Sequence, residues 1–232
     1  MKPQKEVLLN RFISHILKKL VFPIIDRFIK KIDGRENIIK NQPFIIASNH
    51  ISYMDPLVLY RIFSEESNYK VHFMASTGIK WLWWIFGSQR FLKWALGAIP
   101  TPERRGKKAR IPSIDLALNI LKKGGIVGIF PYPKFDPREK IRIKTGIARL
   151  ALHAKVPVIP VALKGTYSVL GNKNLQLPKT YKKVIKVKIG KPLYFDKYRH
   201  LIGKDWNKDR RLFRTISEHI VNKIESMRKS NF

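Results

Sequence analysis

The sequence predicts an α/β fold: a single domain with a central mixed sheet flanked by helices, preceded by an N-terminal amphipathic helical segment that associates with a membrane. Three observations carry that expectation. Short, continuous apolar runs at 44–47, 126–130 and 156–163 have the length and composition of buried strands. Helical periodicities lie between and beyond them, so strand and helix alternate along the chain. The 232 residues, 44% of them hydrophobic, suffice for one substantial core, and no low-complexity linker divides them. The expected organisation is therefore 1–33 for the amphipathic segment and 34–232 for the α/β domain.

Within 7–32 the apolar residues Leu8, Leu9, Phe12, Ile13, Ile16, Leu17, Leu20, Val21, Ile24, Ile25, Phe28 and Ile29 recur in pairs every four positions, with lysines and arginines between them. This is a wide apolar stripe on a basic helix, which Pro23 divides into two pieces. Such a stripe serves either as helices packed on the protein's own core or as an interfacial element, with lysines among anionic headgroups and aliphatic side chains at the acyl boundary. Charges recur too often for a spanning helix. Residues 34–42 form a polar connector into the first apolar run.

A helix follows at 56–63, with Asp55 as its N-cap and Pro56 at its first position, and 69–75 reads as a second strand. The window 79–99 holds Trp81, Trp83, Trp84 and Trp94, four of the five tryptophans, which suit a membrane boundary, a core helix or an acyl groove. Next, 101–110 gathers Arg104, Arg105, Lys107, Lys108 and Arg110, either a cationic site or a solvated charge run. Ser113 caps a helix over 113–123 that Gly124 and Gly125 stop. Strand 126–130, loop 131–139, helix 145–154 and strand 156–163 follow. Strand 184–189 alternates lysines on an exposed face, and 210–228 closes the chain as an amphipathic helix.

The formal net charge of +31 implies an anionic partner surface. Anionic phospholipid is the expected partner, and nucleic acid is not, because the aromatics cluster with aliphatic residues instead of interleaving with the basic ones as stacking platforms do. There is no cysteine, and the six histidines show no paired ligand spacing, so no metal site is expected. The basic N-terminus lacks a compact apolar run with a small-residue cleavage site, which points to the cytoplasmic face of a membrane and a monotopic or peripheral attachment.

Chemistry concentrates in the stretch 45–56, Ile-Ile-Ala-Ser-Asn-His-Ile-Ser-Tyr-Met-Asp-Pro. His50 falls just past a strand end, where side chains meet solvent and substrate. Residues five apart on an ideal helix are separated by roughly 140°, so His50 and Asp55 meet only if 51–54 form a turn. In that case the carboxylate orients one ring nitrogen and leaves the other to take a proton from a hydroxyl. No serine elbow is present to suggest a covalent intermediate.

These segments together resemble the glycerolipid acyltransferase family that includes bacterial lysophosphatidic acid acyltransferases. The resemblance runs over 34–194. Its first block is His-x-x-x-x-Asp, here His50 to Asp55, with Asn49 before the histidine, Ser52 two after it and Pro56 after the aspartate. Gly34, Glu36 and Asn37 are similar to the family's lead-in. Gly97, Ala98, Ile99 and Pro100 resemble the second block, Ile129, Phe130 and Pro131 the start of the third, and 156–161 the fourth. The resemblance implies acyl transfer from acyl-CoA or acyl carrier protein, as co-substrate and with no cofactor, to a lysophospholipid hydroxyl. The acceptor it implies is 1-acylglycerol 3-phosphate, in phospholipid synthesis. It also implies His50 and Asp55 as catalytic residues and places Asn49 and Ser52 at the substrate.

The third block departs from the family's Phe-Pro-Glu-Gly-Thr-Arg, reading Phe130-Pro131-Tyr132-Pro133-Lys134-Phe135, and the second carries Glu103 where the family has arginine. Arg104, Arg105, Lys134 and Arg138 are the expected substitutes for the missing phosphate-binding charge, since clustered cations bind phosphate. The altered block also leaves open an acceptor without phosphate, or a catalytically weakened lipid-binding relative.

Overall fold

The computed structural model describes residues 17–67, 70–76, 97–101, 107–132, 143–170, 182–201 and 209–232. Among them, seven strands form one sheet: β1 (Ile29–Asp33), β2 (Ile45–Ser48), β3 (Val71–Ser76), β4 (Ile99–Thr101), β5 (Ile126–Ile129), β6 (Val158–Lys164) and β7 (Ile185–Ile189). Their spatial order is β1-β7-β6-β2-β5-β3-β4. The helices are α1 (Phe22–Phe28), α2 (Asp55–Glu66), α3 (Lys107–Lys122), α4 (Gly146–Ala154), the short α5 (Thr166–Val169) and α6 (Arg210–Lys229).

The sheet is mixed, as expected. Strands β6, β2, β5, β3 and β4 are mutually parallel, whereas β7 runs antiparallel to β6 and parallel to β1. The central strands read as unbroken apolar runs because both of their faces are covered, which is what parallel crossover connections require. Every residue of β2 and β5 is buried, and so are the first six of β6. Side chains of one parity, including Ile46, Val161 and Val187, pack with Phe22, Ile25 and Phe28 of α1 and with Val58, Leu59 and Phe63 of α2. Those of the other parity, including Ile45, Ala47, Val127 and Val158, pack with Leu121 of α3, Leu150 of α4 and Phe213 and Ile220 of α6.

Strand β2 lies between β5 and β6. The chain leaves β2 for β3 and β4, returns as β5 on one side of β2, and crosses through α4 to β6 on the other. The C-terminal ends of these three strands therefore share one edge, and connections leaving it in opposite directions open the crevice where α/β sheets bind ligands.

The N-terminal expectation needs correction. Periodicity predicts helix through residue 32, but α1 ends at Phe28 and Ile29–Asp33 is the edge strand β1. Pairing with β7, more than 150 residues away, satisfies its backbone groups in a ladder that local periodicity cannot register. Pro23 does separate two pieces, a π-helical turn at Leu17–Val21 and α1, where it sits in the first turn. Phe22, Ile25 and Phe28 are buried, and Arg61 of α2 donates to the Asp26 carboxylate at 3.0–3.2 Å while lying 5.1 Å over the Phe22 ring. Residues 17–33 are thus built onto the α/β core, with Leu20 and Ile24 left exposed on the outer side. The earlier part of that segment, and the tryptophans at 81–94, lie outside the described residues.

Ser113 also differs from its expected place. Helix α3 begins at Lys107, so Ser113 sits inside it, and its hydroxyl donates to the Pro100 carbonyl at 2.7 Å instead of capping. That bond ties α3 to β4, an edge strand short enough to accommodate a proline.

On β3, His72 Nδ1–H donates to the Gly97 carbonyl at 3.1 Å. Gly97 has φ +62°, and a Cβ there would stand 2.7 Å from that ring nitrogen, so only glycine serves in this tight approach. Burial, reinforced by the charge of Lys70 and opposed by the Gly97 carbonyl, lowers the His72 pKa from 6.5 to about 4. The folded state thus holds a neutral imidazole that the unfolded chain protonates more readily. Stability is full above pH 6.5 and falls as pH drops through the window from 6.5 to about 4. The expected loss is up to about 3 kcal/mol, from ~1.36 kcal/mol per pKa unit. Urea unfolding at pH 7 and pH 4.5 checks it, and His72→Leu should flatten this part of the pH dependence.

Candidate active site

At the C-terminal edge of β2, residues 51–54 form the turn that brings His50 and Asp55 together. The Asp55 backbone N–H donates to the Ser52 carbonyl at 3.1 Å, and His50 Nδ1 lies 2.9 Å from Asp55 Oδ2. The same carboxylate oxygen accepts the backbone N–H of Ile51 at 2.7 Å and of Ser52 at 2.8 Å. Asp55 therefore does not cap α2 as expected. It is the first residue of that helix, Met54 holds the cap position without a side-chain cap bond, and the carboxylate reaches back over the preceding turn. Three donors converge on one oxygen, and the side chain is fully buried.

With the carboxylate as acceptor, Nδ1 carries the ring proton and the basic lone pair sits on Nε2. The His50 side chain keeps 16% of its surface exposed, while that of Asp55 is fully buried. Its face stacks on Phe130, the residue just past β5, with ring centroids 4.2 Å apart and planes 18° from parallel.

Asn49 and Ser52 were expected at the substrate, yet both spend their polar atoms on the chain. Asn49 Nδ2 donates to the Leu163 carbonyl at 3.0 Å and its Oδ1 accepts the Leu163 N–H at 2.8 Å. At 1% exposure this side chain extends the β2–β6 ladder by one rung and fixes the backbone from which His50 projects. The Ser52 hydroxyl donates to the Leu170 carbonyl at 2.6 Å and accepts the Met54 N–H at 3.0 Å, pinning the turn beneath Asp55. Both support the corner that joins His50 and Asp55. Arg104, Arg105, Lys134 and Arg138 lie outside the described residues.

Tyr132 stands where the resembled family carries glutamate. Its ring is 1% exposed within the core beneath α4 and α6, and its hydroxyl donates to Glu225 of α6 at 2.5 Å. Arg228 grips the same carboxylate through Nε and Nη2. Burial and the Glu225 carboxylate push the Tyr132 pKa up, so the phenol remains a donor. A side chain so engaged anchors the chain just past β5 to α6. Glu225 lies 93 residues from Tyr132, so sequence reading could not pair them.

Sequence reading also missed Phe130 as a neighbour of the histidine and Phe73 as a neighbour of Phe130. The available signal was Gly128 two residues before Phe130, a bare position on the same face of β5.

A family model described as Acyltransferase matches residues 30–164, from the first strand of the sheet to the end of β6. A 1-acyl-sn-glycerol-3-phosphate acyltransferase of Bacillus subtilis (strain 168) is 31% identical over 175 residues, which cover 75% of this chain and 79% of that protein. A chloroplastic 1-acyl-sn-glycerol-3-phosphate acyltransferase of Brassica napus is 28% identical over 168 residues, 69% of this chain and 45% of the relative. Among solved structures, the 1-acyl-sn-glycerophosphate acyltransferase PlsC from Thermotoga maritima shares the fold, with a TM-score of 0.59 at 20% identity over 99% of this chain and 85% of that one.

Proposed function

The chain belongs to the acyltransferase family, and from that membership we propose that it transfers a fatty acyl group from an acyl thioester to the free hydroxyl of a lysophospholipid. The proposed donor is acyl-CoA or acyl carrier protein, and the proposed acceptor is 1-acylglycerol 3-phosphate, the acceptor that the names of the Bacillus and Brassica relatives carry. The observation that carries this reading is the 2.9 Å contact between His50 Nδ1 and an Asp55 oxygen already fixed by two backbone amides.

In the reaction, His50 Nε2 takes the proton of the acceptor hydroxyl as its oxygen attacks the thioester carbonyl carbon. The negative Asp55 stabilises the imidazolium that results. Collapse of the tetrahedral intermediate leaves the new C–O ester bond and breaks the C–S bond. The imidazolium returns its proton to the departing thiolate, giving a free thiol and a neutral base. Arg104, Arg105, Lys134 and Arg138 are the proposed phosphate-binding cations.

We place this work at the cytoplasmic face of an anionic membrane, with peripheral or monotopic attachment. The net charge of +31 and the exposed Leu20 and Ile24, with Lys19 and Arg27 exposed nearby, support that placement. Among the described residues no helix is long and apolar enough to cross a membrane.

A second reading, an acceptor without phosphate, is favoured by one observation. Tyr132 occupies the glutamate position of the third block and is turned into the core. Free-thiol release from acyl-CoA or acyl carrier protein, measured against lysophosphatidate, glycerol 3-phosphate and neutral lysolipids, separates the readings. Fastest release with lysophosphatidate is expected, and fastest release with a neutral lysolipid would replace the acceptor while keeping the base. Liposome binding without thiol release on any acceptor would leave only a lipid-binding relative.

A further inference from the structure

The imidazole of His50 is one layer of a three-ring stack. Phe130 lies against it with centroids 4.2 Å apart, and Phe73 of β3 lies behind Phe130 at 5.9 Å with the planes 15° apart. Sheet order produces this arrangement, because β5 is hydrogen-bonded to both β2 and β3. The Phe73 ring spans the neighbouring strand only because Gly128 has no side chain. A Cβ at Gly128 would stand 2.2 Å from one Phe73 ring carbon and 2.3 Å from another.

We infer that Phe130, backed by Phe73 over Gly128, is a positioning residue for the base: its ring face holds the plane of the His50 imidazole and stabilises the imidazolium formed when the acceptor proton is taken. The inference rests on His50 being the base. A π face attracts a cation lying over it, and the attraction strengthens where water is excluded, as on the covered side of this ring. Asp55 approaches the imidazole from α2 along its edge, so the two partners act on different parts of it: the carboxylate on the Nδ1–H, the phenyl ring on the face. From the strands, β5 and β3 present Phe130 and Phe73 to this stack, neither of which titrates. The gain appears only when the ring becomes charged, which is the condition for raising kcat without changing KM.

Phe130→Leu keeps apolar bulk beside the histidine and removes the π face, and Phe130→Tyr keeps the ring. For Phe130→Leu, kcat should fall about threefold with both KM values within about 1.5-fold, and the acid limb of the kcat/KM profile should move to lower pH by roughly half a unit, because an unsupported imidazolium loses its proton more readily. Phe130→Tyr should restore both. Phe73→Leu leaves the His50 contact in place and should show a smaller version of the same change, which keeps the test open if Phe130→Leu folds poorly. Wild-type kcat and an unmoved acid limb in folded Phe130→Leu, or an unmoved limb in Phe73→Leu where only that variant folds, would overturn the inference even with His50 essential. Full turnover in His50→Ala would instead remove the base itself, a separate failure.

Discussion

Replacing His50 with alanine is expected to lower kcat for acyl transfer by at least about a thousandfold, within the range that a positioned general base contributes, while the protein remains folded. The rate loss follows from what the corner offers. Asp55 cannot substitute as base, since its one partnered oxygen accepts three hydrogen bonds and the side chain is fully buried. The sequence contains no cysteine through which a covalent route could run. The fold should survive because the turn is held independently of the ring. Ile51 and Ser52 still donate to Asp55, Ser52 still bridges Met54 and Leu170, and Asn49 still ties β2 to β6. Thiol release and thermal unfolding on one preparation check both halves. Retained turnover would exclude His50 as the base, and a collapsed unfolding transition would mean the ring is structural.

The second large effect separates charge from geometry at Asp55. In Asp55→Asn, the amide oxygen must take the place of Oδ2, because an NH2 there would face the N–H groups of Ile51 and Ser52. The variant therefore keeps the turn and keeps Nδ1 protonated, and it loses only the negative charge that the proposed mechanism assigns to stabilising the imidazolium. We expect kcat to fall about 100-fold with little change in thermal midpoint, as for an electrostatic contribution of that size. Asp55→Ala removes the acceptor altogether. Two backbone donors are then left unpaired at about 1–3 kcal/mol each where water cannot reach them, so this variant should lose stability as well as activity. Wild-type kcat in Asp55→Asn would mean that the carboxylate charge takes no part, and an unchanged midpoint in Asp55→Ala would mean that the turn does not depend on it.

Much of this molecule is written locally. Strands β2, β5 and β6 are legible because a strand covered on both faces must be apolar throughout, and such runs stand out from the periodic patterns of the helices around them. The His50–Asp55 spacing is legible for a similar reason: a proline after the aspartate and a polar corner before it mark a strand end, a turn and a helix start within a dozen residues. Family membership follows from those short-range patterns taken in order.

Other features depend on partners far away in sequence. Residues 29–32 satisfy a helical period as well as a strand's, and only the ladder offered by β7 decides between them. The Asp55 side chain could have turned forward to cap α2, but the N–H groups of Ile51 and Ser52 and the histidine supply three donors behind it. Tyr132 reads as a loop residue until α6 brings Glu225 over it. The ring stack on His50 exists because sheet order sets β5 between β2 and β3 and Gly128 leaves room for Phe73. The sequence by itself determined the family and the His50–Asp55 spacing, since both depend on residue type and short-range pattern. The tertiary structure alone decided how those groups are held, because burial and the competition among donors exist only once distant strands and helices have met.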